Sequence, residues 1–162
     1  MSETGGAVAE TRQGPAGLGG WLILPMLGLL ITPVGGVALI ATYPDLSNAW
    51  QYLTLGQSAF VIAEIAMNAV LLLVAPIALL FFMFKRWEIF PGWYMIWAAA
   101  VPIILIADAL LSYAVFPEAY SDGTAEVFDK ETTRGILRSI FSAAIWIPYM
   151  MRSERVANTF VR

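Results

Sequence analysis

Apolar residues run along this chain in four long blocks separated by short polar stretches. Leu18 to Thr42 carries no charge over 25 residues. At about 1.5 Å per residue, a helix of that length exceeds the roughly 30 Å hydrocarbon core of a bilayer. Residues 60–84 contain one acid, Glu64; residues 92–116 contain Asp108; residues 134–151 contain Arg134 and Arg138. In lipid, backbone polar groups must be satisfied within the segment, so blocks of this length suit helices rather than the shorter alternating strands of outer-membrane barrels. The pattern predicts an all-α, integral membrane four-helix bundle with spans near 18–42, 60–84, 92–116 and 134–151. Residues 1–16 are expected to be a disordered tail and residues 152–162 a short basic one.

Composition agrees with the pattern and removes several chemistries. The chain is 59% hydrophobic and 13% charged, with a mean hydropathy of +0.73, against roughly 25% charged residues in soluble domains. It has no cysteine and no histidine, which excludes thiolate chemistry, disulfides, histidine-ligated zinc and the usual ligation of haem. No cofactor or metal is expected. A net charge of -3 and a pI near 4.8 lack the basic footprint of nucleic-acid binding. Only Arg12 is basic in the first sixteen residues, which argues against a cleaved signal peptide.

Basic residues near span ends set orientation. Arg12, Lys85, Arg86, Arg152, Arg155 and Arg162 fall on one side of four crossings, against Lys130 and Arg134 on the other. Both termini are therefore expected in the cytoplasm. Trp21, Trp87, Trp93 and Tyr94 then lie near the inner interface, and Tyr43, Trp50, Tyr52, Tyr113 and Tyr120 near the outer one. Between Tyr43 and Ser58, the spacing of Leu46, Trp50 and Leu53 after Pro44 predicts a short interfacial helix. The second outer loop, Pro117 to Thr133, is acidic but lacks the calcium-loop pattern, and reads as a solvated loop.

Counting along the helices gives a shared depth for three polar side chains. Asp108 lies fifteen residues beyond Trp93, about 22 Å up. Asn68 lies seventeen residues from Lys85, about 25 Å up. Arg138 is one turn inside Arg134, about 6 Å below the outer edge. An isolated charge in a membrane helix costs about 2.5 to 3.5 kcal/mol on insertion scales, so an Asp108 to Arg138 pair is the economical arrangement. Glu64, one turn from Asn68, joins through Arg134 or Arg138. This layer, Glu64, Asn68, Asp108, Arg134 and Arg138, has two readings: a relay or the floor of an outward-facing pocket, or ion pairing that fixes helix register. The second is favoured, because the cluster occupies the outer third and offers no site near the midplane.

Gly28, Thr32 and Gly36 in the first block, and Gly135, Ser139 and Ala143 in the fourth, recur at steps of four and form candidate helix-packing faces. Pro25, Pro33, Pro76, Pro102 and Pro148 each remove an amide donor from a helix. No nucleophile with a recognisable base and no phosphate-binding glycine loop is present, so catalysis is not expected.

Two stretches are similar to those of a known family: Gly19-Gly20-Trp21-Leu22-Ile23-Leu24-Pro25, and Ile145-Trp146-Ile147-Pro148-Tyr149 followed by Ser153, Arg155-Val156 and Thr159-Phe160. Together, from about Leu18 to the C-terminus, they resemble the bacterial membrane-protein family Domain of Unknown Function 2569. The resemblance implies a multi-pass bacterial inner-membrane protein and brings no activity with it. On the residues, Arg152 and Arg155 beside Val156 and Phe160 form a candidate contact for anionic lipid or a partner at the cytoplasmic tail. The expected role is a non-catalytic accessory, scaffolding or assembly component of a larger membrane complex, with other membrane subunits as partners. The alternative is a small oligomeric transporter or channel with an outer polar vestibule.

Overall fold

A computed structural model of the chain describes residues 14–40, 48, 50–121, 123 and 125–161, and every regular element among them is helical. A 3-10 turn, Gly20–Leu22, leads into α1, Ile23–Ile40. Helix α2 runs Leu55–Lys85, α3 Ile89–Val115 and the single turn α4 Pro117–Tyr120. Helix α5 runs Lys130–Arg152 and a short α6 follows at Glu154–Thr159. Three stretches are long and apolar enough to cross a membrane: Gly20–Ala38, Leu55–Lys85 and Ile89–Val115. Helix α5 is as long, but its charged first turns set it apart.

The helix ends follow from capping chemistry. Thr54 and Gln57 form a reciprocal capping box, with Oγ1 of Thr54 accepting from the Gln57 amide at 3.3 Å and Oε1 of Gln57 accepting from the Thr54 amide at 2.9 Å. That signal starts α2 at Leu55, five residues ahead of the apolar block at 60. The far end of α2 closes in a Schellman motif: the Arg86 amide donates to Met83 and the Trp87 amide to Phe82. Arg86 takes the left-handed conformation there (φ 55°) that glycine usually supplies. Asp129 caps α5, and Ser153, in extended conformation, ends α5 and caps α6.

Halfway along α2 the helix widens into a π turn, Val70–Val74. The Ala75 amide donates to the Val70 carbonyl, so the Leu71 carbonyl loses its ordinary partner. Its next partner would be residue 76, which is proline and has no N–H. The indole Nε1 of Trp97 on α3 fills the gap, donating to that carbonyl at 3.0 Å. Gly36 of α1 packs onto the same turn so closely that a Cβ there would come within 2.9 Å of the Leu72 Cβ and 3.4 Å of its carbonyl oxygen. Helices α1 and α3 thus meet α2 at its one irregular segment.

The broadest helix contact joins α3 to α5, while α1 lies along the second half of α2. The connected core lies where α1 begins, α2 ends, α3 begins and α5 ends: Leu22, Leu29, Leu79, Met83, Phe90, Tyr94, Ala98, Ala143, Met150, Val156 and Phe160. Val61, Ala109 and Ile136, toward the opposite end, are buried but stand outside that cluster. The expected interfacial helix falls largely on residues outside those described; what is described there is a 3-10 turn, Trp50–Tyr52. Arg12 and Arg162 also lie outside the described residues.

Candidate functional site

The five residues of the expected polar layer separate into two groups on different faces. Glu64 and Asn68 on α2 and Asp108 on α3 are half-buried, and Glu64 and Asp108 lie close enough for their charges to act on one another. Asp108 opens onto a cavity of about 560 Å³ between the C-terminal half of α3 and the N-terminal half of α5, together with Ser112, Tyr120, Glu126, Asp129, Glu131 and Thr132. Arg134 and Arg138 are exposed on α5 and border a groove of about 900 Å³ with Glu126, Lys130, Leu137, Ile140 and Phe141, while Arg138 also reaches a cavity of about 260 Å³ beside Val101 and Leu105 of α3.

Helical geometry explains the split. Ile136, Ala143 and Met150 are the buried stripe of α5. Arg134 and Arg138 each stand two residues from Ile136, about 160° around the helix at roughly 100° per residue. The expected Asp108 to Arg138 pair is therefore not formed, and neither arginine makes an ion pair among the described residues. Equal depth placed these groups at one level, and helix rotation placed them on different faces. The amphipathic pattern of α5, read before depth, carries that information.

Acids in and beside the cavity are partly committed. Asp129 Oδ1 accepts from the Thr132 amide at 2.7 Å, and that backbone hydrogen bond holds the Asp129 carboxyl below its ordinary range. Glu118 of α4 accepts from Gln57 Nε2 at 2.7 Å, which ties the start of α2 to the end of α3 beside the Phe60–Phe116 ring contact.

The two small-residue faces also behave differently from their spacing. On α1, Gly36 alone makes a close approach. Gly28 has open space where a Cβ would stand, as does Gly35, and the Thr32 hydroxyl folds back onto the Gly28 carbonyl at 2.8 Å. On α5, Ala143 is buried against the core, Ser139 donates to the Ile136 carbonyl at 2.8 Å, and Gly135 has nothing near a Cβ position.

At the opposite end of the molecule, the segment after α5 turns back rather than trailing away. Thr159 is buried; its Oγ1 accepts from the Gly17 amide at 2.8 Å and donates to the Arg155 carbonyl at 2.6 Å. The Arg155 guanidinium lies against Gly20 (φ +62°), 3.3 Å from a Cβ position there, and its Nη1 donates to the Ala16 carbonyl at 3.4 Å. Phe160 stacks on Phe90 at 4.6 Å between ring centroids, and Val156 packs into the same core. Val156 and Phe160 consequently face protein rather than lipid, because α6 supplies the side chains that close the core's end. Arg152 stays exposed. Sequence reading set the Gly19-Gly20-Trp21 stretch and the Ser153 to Phe160 stretch side by side as motifs; the fold makes them one seam. Gly17, Trp97 and the polar role of Thr159 were not among the expected contacts, since each acts through a backbone group whose partner is distant in sequence.

A helical bundle with long apolar spans that carry few charges is the architecture of an integral membrane protein. Within that class, the chain belongs to the family described as Protein of unknown function (DUF2569), whose model matches residues 15–161. It is similar to Inner membrane protein YdgK of Escherichia coli (strain K12), 30% identical over 156 residues that span 93% of this chain and 98% of that protein. No solved structure matches it.

Proposed function

We propose that this is a non-catalytic, multi-pass protein of the bacterial inner membrane, crossing four times with both termini in the cytoplasm, that serves as an accessory, scaffolding or assembly component of a larger membrane complex. The observation that carries this reading is the outward face of α1. Leu24, Gly28, Ile31 and Gly35 form an exposed stripe at helical spacing, and both glycines have open space above them. A notch flanked by large apolar side chains suits the backbone of another membrane helix. Location is supported by the inner-membrane relative, and orientation by Lys85, Arg86, Arg152 and Arg155 gathering at the end where Gly17 meets Thr159.

The test is extraction from the native membrane at native abundance, followed by mass spectrometry of what co-purifies. A stoichiometric membrane partner that is lost from Gly28→Leu/Gly35→Leu, while the variant's unfolding is unchanged, is the expected result. Recovery alone, or only as a homo-oligomer, overturns the reading. Topology is read separately, because the chain has no cysteine: an impermeant maleimide should label Glu126→Cys from outside and leave Glu88→Cys and Val161→Cys unlabelled in intact cells.

A second reading, a small oligomeric transporter, is favoured by the acidic cavity at Asp108 beside Glu64. It requires ion flux in proteoliposomes that disappears in Glu64→Gln and Asp108→Asn variants that still fold.

A further inference from the structure

Helix α5 carries Lys130, Arg134 and Arg138 at successive four-residue steps, all exposed, and Arg138 also borders a smaller cavity with Val101 and Leu105 of α3. They border the 900 Å³ groove, whose wall continues along the helix as Leu137 and Phe141. Cations thus give way to apolar surface in the direction that leads from the bilayer surface inward. Arg138 sits one turn, about 6 Å, deeper than Arg134, where an unpaired cation facing hydrocarbon is unfavourable. Among the described residues no carboxylate pairs with either arginine. Asp129 is engaged with the Thr132 amide, Asp108 belongs to the other cavity, and Glu126 borders the groove before the helix begins.

We propose that this groove holds one anionic phospholipid of the outer leaflet, its phosphate between Arg134 and Arg138 and an acyl chain along Leu137 and Phe141. A phosphodiester offers two charged oxygens that match guanidinium forks. A free anion satisfies the arginines and leaves the apolar wall uncovered; a phospholipid satisfies both with one molecule. The site lies at the opposite end of the bundle from the basic tail, and it rests on the reading that α5 crosses the membrane.

The experiment is native mass spectrometry of the purified full chain titrated with phosphatidylglycerol and with phosphatidylcholine of the same acyl chains. Wild type should retain phosphatidylglycerol about tenfold better, the scale of one charge-assisted hydrogen bond. Arg134→Gln/Arg138→Gln should bring it down to the phosphatidylcholine level, while Arg152→Gln at the other end should change nothing. A second measurement leaves the arginines intact: Phe141→Trp should show more fluorescence quenching, above the wild-type background, with brominated phosphatidylglycerol than with brominated phosphatidylcholine. Equal retention of the two lipids by wild type overturns the proposal, as does equal loss in Arg152→Gln. Displacement by inorganic phosphate would identify a free-anion site, and dissociation of a dimer by the arginine substitutions an interface between copies; either overturns it. If maleimide labelling places Glu126→Cys outside while wild type binds both lipids equally, the lipid proposal alone has failed. If labelling places residue 126 inside, the crossing itself has.

Discussion

Replacing Trp97 by phenylalanine isolates one hydrogen bond on which the middle of the bundle depends. The Leu71 carbonyl is left without a helical partner by two features of α2, the π register at Val70 and the proline at 76. Among the described residues it is the Trp97 indole, 3.0 Å away, that satisfies it. In the bilayer interior water does not substitute, so the loss carries the full penalty of a buried unsatisfied carbonyl, about 1 to 3 kcal/mol. Trp93→Phe, on an indole that is 56% exposed four residues earlier, should stay within about 0.5 kcal/mol of wild type. Reversible unfolding in mixed micelles with increasing dodecyl sulfate measures both. Pro76→Ala supplies the missing amide at 76, which can donate to Leu71 in π register. In that background Trp97→Phe should cost about 1 kcal/mol less than in wild type, a coupling read from the double-mutant cycle. The account is refuted if Trp97→Phe is no more costly than Trp93→Phe, or if its cost is the same with alanine at 76.

Three further substitutions test the other junctions. Gly36→Ala must displace the Leu72 and Leu73 side chains or the backbone beneath them, and should lose about 1 to 3 kcal/mol in the same unfolding assay, whereas Gly28→Ala should be neutral or slightly stabilising. Thr159→Val keeps the shape of a buried side chain and strands the Gly17 amide; it should cost about 1 to 3 kcal/mol and speed proteolysis near residue 17. Asp129→Ala should destabilise α5 at neutral pH. Because the folded Asp129 carboxyl lies below its ordinary value of 3.8, its contribution is complete above that pH and fades as pH falls beneath it, so the gap between variant and wild type should close in acid. A gap that persists or widens in acid would show that the carboxylate is not the capping group.

Much of the helical layout was legible because membrane helices announce themselves by length. The observed Leu55–Lys85 and Ile89–Val115 overlap the expected 60–84 and 92–116, and the shifts in their starts come from caps and turns that apolar counting ignores, Thr54 with Gln57 before α2 and the Trp87–Phe90 turn before α3. What hydropathy does not encode is rotation. Arg134 and Arg138 share a depth with Asp108 and point elsewhere, because the small and apolar stripe of α5 turned toward α3. In the tail, Arg152 and Arg155 beside Val156 and Phe160 suggest a contact for anionic lipid or a partner. Its apolar residues decide the outcome instead: Val156, Thr159 and Phe160 recur at three- and four-residue spacing and are all buried. The π turn was beyond reach, since Pro76 announces a missing donor but not that an indole from another helix replaces it.

The two ends of the bundle are built to different standards, and that difference bears on where function resides. At the end where α1 begins and α5 ends, Leu22, Met83 and Phe90 are essentially inaccessible, rings stack, and the α6 seam ties residue 17 to residue 159. The groove of about 590 Å³ near that end, lined by Phe82, Ile89 and Trp93, is apolar, whereas at the other end stand two openings of about 560 and 900 Å³ with acids in one and cations at the other. Grooves and unpaired charges lower stability, so they persist where something outside the chain offsets them. An end packed around an apolar core can hold four helices in register while the charged end is left to bind. Substitutions should divide accordingly: those in the seam and at the π turn should lower unfolding stability whatever lipid is present, whereas those at Arg134 and Arg138 should matter chiefly when the anionic lipid is supplied. A seam variant rescued by phosphatidylglycerol as fully as wild type is stabilised by it would mean that the two ends are coupled through α5, and that this division of labour is mistaken.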